Sequence, residues 1–163
     1  MTLHHSSFVA VPPDVVARVI CGERYNVENQ VSREDVVDAR YESIEEGEDR
    51  ARFDVHVTSY KRTKTGGIDK NATQRSTTEY RWEGRTSALH WKHIDEEGDR
   101  VNVGGVTRLR PEGSGTRIDR EVTIDIRIPV IGRGIAKIVE REFKKGLDRS
   151  SGVLDRIARD EAG

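Results

Sequence analysis

Residues 117–128 read RIDREVTIDIRI and residues 131–157 read IGRGIAKIVEREFKKGLDRSSGVLDRI, and these two stretches decide the fold class. In the first, isoleucine and valine occupy most even-numbered positions and polar residues the odd ones, which is typical of a strand with one buried face. In the second, apolar residues recur at steps of three and four, as in an amphipathic helix. The members of this stripe are Ile131, Ile135, Ile138, Val139, Phe143, Leu147, Leu154 and Ile157. Such a helix is long enough to lie across a whole sheet.

The rest of the chain predicts the sheet. A strand over residues 3–11 ends at Pro12 and Pro13, and two short helices follow, one opening at Asp14 and one from about Glu23 to Asn29. Six further strands are predicted over 34–45, 49–61, 73–83, 86–96, 99–111 and 115–128, separated by short glycine-containing turns that imply antiparallel neighbours. Gly104 and Gly105 are interpreted as a bulge that bends the sheet. The prediction is an α+β fold, a curved seven-stranded antiparallel sheet wrapped around the long C-terminal helix.

Composition excludes several function classes. With 163 residues, 35% of them charged, and a net charge of −1, the chain predicts a single domain over residues 1–163 without the basic surplus of a nucleic-acid-binding protein. Cys21 is the only cysteine, so no intrachain disulfide forms and a reducing, cytoplasmic location is expected. No signal peptide or stretch of roughly 20 apolar residues is present, and no membrane insertion is expected. The charged outer face of the sheet favours a monomer or weak dimer.

The order of elements resembles the helix-grip fold of the START and polyketide-cyclase-like (SRPBCC) superfamily. The segment 126–132, IRIPVIG, with its Pro129-x-x-Gly132 turn before a Lys/Glu-rich helix from Ala136 to Leu147, resembles an uncharacterised bacterial START-like family. The resemblance implies a cavity between sheet and helix of the kind in which START-like proteins bind lipids, sterols, polyketides or plant hormones. A minority of that superfamily are enzymes, but none of its catalytic signatures maps onto this sequence.

The apolar parity of each strand predicts which side chains face that cavity. Expected ligand-binding residues are Tyr41, Phe53, Val55, Val57, Tyr80, Trp82, Leu89, Trp91, Val103, Arg120, Val122, Ile124, Ile138, Val139, Phe143 and Leu147. The same parity turns Val37, Ala39, Ala51, Ser59, Ser76, Thr78, Val101 and Ile118 inward. An apolar wall with a few hydroxyls and rings suits a largely apolar ligand, although an ordinary packed core contains the same residue types. In the helix, Gly146, Ser150 and Gly152 either leave volume for a ligand or mark a kink or a close contact with the first two helices.

Arg120 lies on the apolar face of its predicted strand, where its neighbours two residues away are Ile118 and Val122. A buried guanidinium stays protonated and requires an acid or several carbonyl oxygens. It meets either an inward glutamate, or water at a local bulge, or the carboxylate, phosphate or carbonyl head group of a ligand.

Other chemistry finds little support in the pattern. His90 and His93, like His4 and His5, point to opposite strand faces and cannot chelate a metal together, so neither a metal site nor a cofactor is expected. No nucleophile elbow or phosphate-binding loop is present. Three functions stay open: a carrier or sensor of a hydrophobic small molecule or lipid; a cyclase or dehydratase with Tyr41, Tyr80 or His93 as general acid or base; and a filled-core protein that acts as a homodimer.

Overall fold

The computed structural model describes residues 1–63, 65–96, 101–126 and 133–163. The Pro129-x-x-Gly132 turn, with Ile128 and Ile131, lies outside these residues, as do the side chains of Val101, Ile126 and Ile135.

The elements appear in the order that the sequence predicts. They are β1 (Thr2–Val9), α1 (Pro13–Ile20), α2 (Glu23–Val31), β2 (Val36–Glu45), β3 (Arg50–Arg62), β4 (Ile68–Glu83), β5 (Ala88–Asp95), β6 (Val101–Glu112), β7 (Gly115–Ile126) and α3 (Arg133–Ala162). Within the described residues, the seven strands form one sheet in the order β1-β7-β6-β5-β4-β3-β2, and every neighbouring pair is antiparallel. The α+β helix-grip prediction is confirmed.

Two details of β4 and β2 differ from the sequence prediction. β4 begins at Ile68 rather than residue 73, because a register shift after Tyr60 lets Asp69 and Ile68 pair with Lys61 and Arg62. Val37 is 49% exposed, not inward, because the register shifts between Val36 and Asp38; Val36 packs inward in its place.

The glycine pair of β6 does not form the predicted bulge. Gly104 and Gly105 pair in regular register with both β5 and β7. A Cβ atom on Gly105 would lie 2.8 Å from the indole ring of Trp91 and would also collide with the carbonyl oxygen of Glu121. The absence of a side chain therefore allows the Trp91 ring to lie close against the sheet.

Buried apolar residues form two clusters. The large cluster joins α1, the sheet and the C-terminal half of α3, and consists of Val9, Val11, Val16, Val19, Ile20, Tyr25, Phe53, Val55, Val57, Trp82, Leu89, Leu109, Ile118, Leu154, Ile157 and Ala158. The small cluster consists of Leu3, Val103, Val122 and Ile124, against which the partly buried Trp91, Val139, Phe143 and Leu147 pack. The two halves of α3 therefore belong to different clusters.

Side chains rather than backbone connect the described part of α3 to the central strands. Among the described residues, its Cα atoms come within 8 Å of β1, α1 and α2, but of no strand from β2 to β7. By the same measure α1 approaches β6 and β7, and α2 approaches β2 and β3. The space between α3 and the central strands is thus spanned by side chains alone. In the part of the chain that the structure covers, no helix combines the length and apolarity required to cross a membrane.

Candidate functional site

Three aromatic rings stack on the inner face of the sheet, beside the large cluster. The rings of Tyr41, Phe53 and Tyr80 stack across β2, β3 and β4, with centroids 5.2 Å and 4.7 Å apart. Phe53 is buried, whereas Tyr41 and Tyr80 are half-buried although they lie at inward positions of their strands. Burial raises the pKa of both tyrosine phenols, so they stay protonated at neutral pH and can donate hydrogen bonds. The Tyr41 hydroxyl donates to the carbonyl oxygen of Cys21 over 2.8 Å.

The N-terminal half of α3 presents a row of apolar side chains to the small cluster. Val139, Phe143 and Leu147 lie one turn apart, pack against the small cluster and remain half-buried. Ile138, which the sequence assigns to the site, is 50% exposed and lies outside this row. Successive helix positions point about 100° apart, so Val139 takes the inward direction and turns Ile138 towards solvent.

The remaining predicted residues divide between packed core and site. Val55, Val57, Trp82 and Leu89 lie in the large cluster together with Phe53. Val103, Val122 and Ile124 lie in the small cluster, where Trp91 packs against them and is itself half-buried. The residues of the small cluster therefore lie beside the α3 row, whereas those of the large cluster belong to the packed core.

Gly146 and Gly152 of α3 do not mark a close contact. A Cβ atom on Gly146 would meet only the Arg149 side chain, at 3.8 Å, and one on Gly152 would meet nothing within 4 Å. Both residues lie within the continuous helix α3. The interpretation as a contact with the first two helices is wrong, and Gly152 faces solvent.

Arg120 is the charged group of the inner face. It is 8% exposed, and its neighbours Ile118 and Val122 are buried with it, as the parity predicts. Its Nη1 donates to Ser151 Oγ of α3 over 2.6 Å. Neither the inward glutamate nor the bulge is found: β7 pairs in regular register on both sides of Arg120, and no acid of the described residues lies within ion-pair distance of it. The charge of Arg120 also favours the ionised Tyr80 phenol, an effect smaller than that of burial on its pKa.

Two polar residues of β1 lie beside Arg120 and were missed by the sequence interpretation. His5 pairs with Arg120, and Ser7 follows on the same inner face of the strand. His5 Nε2 lies 3.0 Å from Asp148 Oδ1 of α3, whereas His5 Nδ1 and Ser7 Oγ are buried without a hydrogen-bond partner. The sequence did contain a signal for these two residues. They alternate along β1 with Leu3 and Val9, the buried apolar residues of the strand, and therefore lie on the same inner face.

Tyr41, Tyr80 and His93 are the residues predicted for acid–base chemistry. Among the described contacts, His93 is the one of the three that forms a hydrogen bond with an acid. His93 Nδ1 lies 3.2 Å from Thr78 Oγ1, and His93 Nε2 lies 2.9 Å from Asp95 Oδ1. Because the Asp95 carboxylate accepts a hydrogen bond from Nε2, Nδ1 accepts one from the threonine hydroxyl in the neutral ring. Both ring nitrogens are thus engaged.

The outer face holds a group of potential metal ligands that sequence spacing did not reveal. Cross-strand pairing brings Glu42, Asp54 and His56 together, with one ligand atom of each within 4.8 Å of the others. His56 Nδ1 also lies 2.9 Å from Thr77 Oγ1. All three are half-exposed, and exposed acidic groups commonly cluster in this way without a cation.

A cavity of about 790 Å³ opens at the other end of the molecule, between α1 and the turns after β2 and β4. Asp14, Glu46, Glu48 and Asp49 are among its lining residues, and Trp82 is the one predicted site residue that contributes to it. Burial raises the pKa of the Cys21 thiol in its lining to about 12. Because carboxylates line this opening, we place the site for an apolar ligand at the inner face beneath α3 instead.

Comparisons with solved structures identify the same fold in several proteins. TTHA0849 from Thermus thermophilus is 17% identical over 100% of both chains, with a TM-score of 0.70. A START superfamily protein from Mycobacterium smegmatis is 10% identical, covers 98% of this chain and 97% of its own, and has a TM-score of 0.64. The Zhui aromatase/cyclase from Streptomyces sp. R1128 is 10% identical, covers 98% of this chain and 93% of its own, and has a TM-score of 0.62.

These likenesses show a START-like fold, which is also that of polyketide aromatase/cyclases. No curated protein matches the chain. The family described as "protein of unknown function (DUF2505)" matches residues 4–157, almost the entire sequence. The chain therefore belongs to the DUF2505 family, and its fold is START-like.

Proposed function

We propose that the protein binds a hydrophobic small molecule or lipid between the sheet and the N-terminal half of α3, as a carrier or sensor. The observation that carries this proposal is that Trp91, Val139, Phe143 and Leu147 pack against the small cluster and yet stay half-buried. Trp91, Phe143 and Leu147 face the interior of the grip yet retain solvent exposure. An apolar ligand in contact with them would remove that surface from water.

The free energy available from this contact is sufficient for binding. A ligand that buries about 300 Å² of apolar surface gains roughly 7 kcal/mol before ordering costs. Ordering of ligand and side chains reduces the gain, so micromolar affinity is the expected upper range. No covalent step is required for such a function.

The test combines identification of the ligand with a variant that fills its site. Native mass spectrometry of the protein from its expression host, and after incubation with a mixed lipid extract, should show a bound apolar compound that denaturing extraction releases. Leu147→Trp should abolish this uptake and leave the melting curve nearly unchanged, because Leu147 is half-buried at the site. Ile138→Trp is the matched control on the solvent side of α3 and should retain uptake.

Two outcomes would contradict the proposal. One is an apo mass that persists after exposure to the lipid extract. The other is undiminished uptake by Leu147→Trp, which would show that the ligand lies elsewhere. The same spectra give the oligomeric state, for which we expect a monomer or a weak dimer.

A second candidate function is cyclase- or dehydratase-type catalysis in the same space. The observation that favours it is His93, held by Thr78 and Asp95 on the inner face of β4 and β5. It ranks second because a substrate must first displace one of these partners from the imidazole ring. Incubation with a poly-β-keto thioester should yield a cyclised product with the wild type and none with His93→Gln. Absence of product from the wild type would exclude this candidate.

A further inference from the structure

We infer that the ligand carries a carboxylate, and that Arg120 binds it together with the hydroxyl groups of Ser7 and Ser151. This inference rests on the proposed function, because it names the head group of the same ligand. The Arg120 guanidinium is a buried charge that no acid of the described residues neutralises.

Arg120 is 8% exposed and lies between two fully buried aliphatic residues. A guanidinium remains charged in such a setting, and its removal from water is costly unless an anion or several acceptors compensate. Among the described residues its hydrogen bond is to a neutral hydroxyl, Ser151 Oγ, at 2.6 Å. Most of its N–H donors are therefore available to a ligand.

The acid that lies next to this group is committed to another partner. Asp148, one turn before Ser151 on α3, lies 3.0 Å from His5 Nε2, and its side chain is 76% exposed. It holds the His5 ring between α3 and β1 and leaves the Arg120 charge without a carboxylate of the protein. An anionic head group would supply the missing partner.

Independent evidence comes from β1. His5 pairs directly with Arg120 across the sheet, and Ser7 lies two residues further on the same face. The buried atoms His5 Nδ1 and Ser7 Oγ have no hydrogen-bond partner. Unsatisfied buried polar atoms are rare in folded proteins, and here two of them lie on the strand that pairs with Arg120. In the neutral His5 ring Nε2 donates to Asp148 and Nδ1 is an acceptor, so the Ser7 hydroxyl is the group that can donate to a carboxylate. A carboxylate can accept from the guanidinium and from the serine hydroxyl at once.

The apolar surroundings give the direction of the rest of the ligand. On β7, Arg120 is followed on the same face by Val122 and Ile124, and both belong to the small cluster. On α3, Ser151 is followed one turn at a time towards the N-terminus by Leu147, Phe143 and Val139. The distance from Ser151 to Val139 along the helix is about 18 Å, at roughly 1.5 Å per residue. An acid with an extended apolar tail fits between these two rows.

The test compares dodecanoate with dodecan-1-ol, which shares the tail and lacks the charge, at pH 8 by calorimetric titration. The wild type should bind dodecanoate at least about tenfold more tightly than the alcohol, the effect of a buried charge-assisted hydrogen-bonded pair. Arg120→Met should lose this preference and keep its affinity for the alcohol. Arg110→Met, which removes an exposed arginine on the neighbouring strand, should behave as the wild type.

Each alternative result has a distinct meaning. Equal wild-type affinities for acid and alcohol would overturn the carboxylate inference and leave the proposed function standing. Failure of both probes to bind would overturn the two together. Retention of the acid preference by Arg120→Met would also overturn the inference. Ser7→Ala and Ser151→Ala provide a test that does not alter the buried charge, and each should reduce the acid preference about threefold or more.

Discussion

The two apolar clusters of this molecule use the same helix in different ways. In the large cluster, the α3 residues Leu154, Ile157 and Ala158 are fully buried, in contact with α1 and the sheet. In the small cluster, Val139, Phe143 and Leu147 of the same helix remain half-buried. The C-terminal half of α3 thus anchors the fold, whereas the N-terminal half leaves apolar surface available for a ligand. Stability and binding are therefore expected to respond to substitutions in different clusters.

The most direct way to break this comparison is to make the same substitution in both clusters. Phe53→Ala in the large cluster should lower the free energy of unfolding by about 3–5 kcal/mol, because it opens a cavity in a closed core. Phe143→Ala in the small cluster should cost less than about half as much, because the ring is already half-exposed. Urea unfolding of the two variants measures the difference. Equal losses would mean that the two clusters are equally well packed.

The second prediction concerns the boundary between the clusters, where Arg120 lies between Ile118 of the large cluster and Val122 of the small one. Replacement of an uncompensated buried charge by an apolar side chain of similar length relieves its desolvation cost. Arg120→Met should therefore leave the unliganded protein unchanged or raise its free energy of unfolding by about 1–2 kcal/mol. Thermal unfolding without ligand measures the effect. A large destabilisation would show that the guanidinium has structural partners that stabilise the fold.

The smallest effect is expected on the outer face of β7, outside both clusters. Hydrogen bonding to Arg110 lowers the pKa of Asp119, with a further contribution from Ser6. Because the carboxyl pKa is lower in the folded than in the unfolded state, its stabilising contribution is present above the ordinary value of 3.8 and is lost as the pH falls through the lowered pKa. Asp119→Asn should be slightly less stable than the wild type at neutral pH, with the difference vanishing in acid. The pH dependence of the melting temperature of both proteins measures this.

Strand parity and helix periodicity predicted much of the fold and part of the site. They located the inward positions of β3, β4 and β7, including Arg120, because an antiparallel sheet with one covered face repeats every two residues. They failed at Val37, where an extra residue in β2 reverses the parity, and at Gly104–Gly105, whose role is close approach of the Trp91 ring. The sequence around such a position does not show whether the strand contains an extra residue or a glycine that lets a neighbouring ring come close.

The polar parts of the site depend on contacts between distant segments. His5 and Ser7 join Arg120 only through the pairing of β1 with β7, and Ser151 reaches it from α3. Likewise Glu42, Asp54 and His56 meet across β2 and β3. The difference in burial between the two halves of α3 is set by the whole packing arrangement, so no single segment encodes it.

The central claim is that a ligand lies in the small cluster, and methyl-selective NMR during titration with dodecanoate tests it most directly. The methyl resonances of Val103, Val122, Val139 and Leu147 should shift, whereas those of Val16, Val19 and Ile157 in the large cluster should stay in place. Shifts confined to Val16 and Val19 of α1, the helix that borders the cavity at the opposite end, would contradict the claim, as would a spectrum that dodecanoate leaves unchanged.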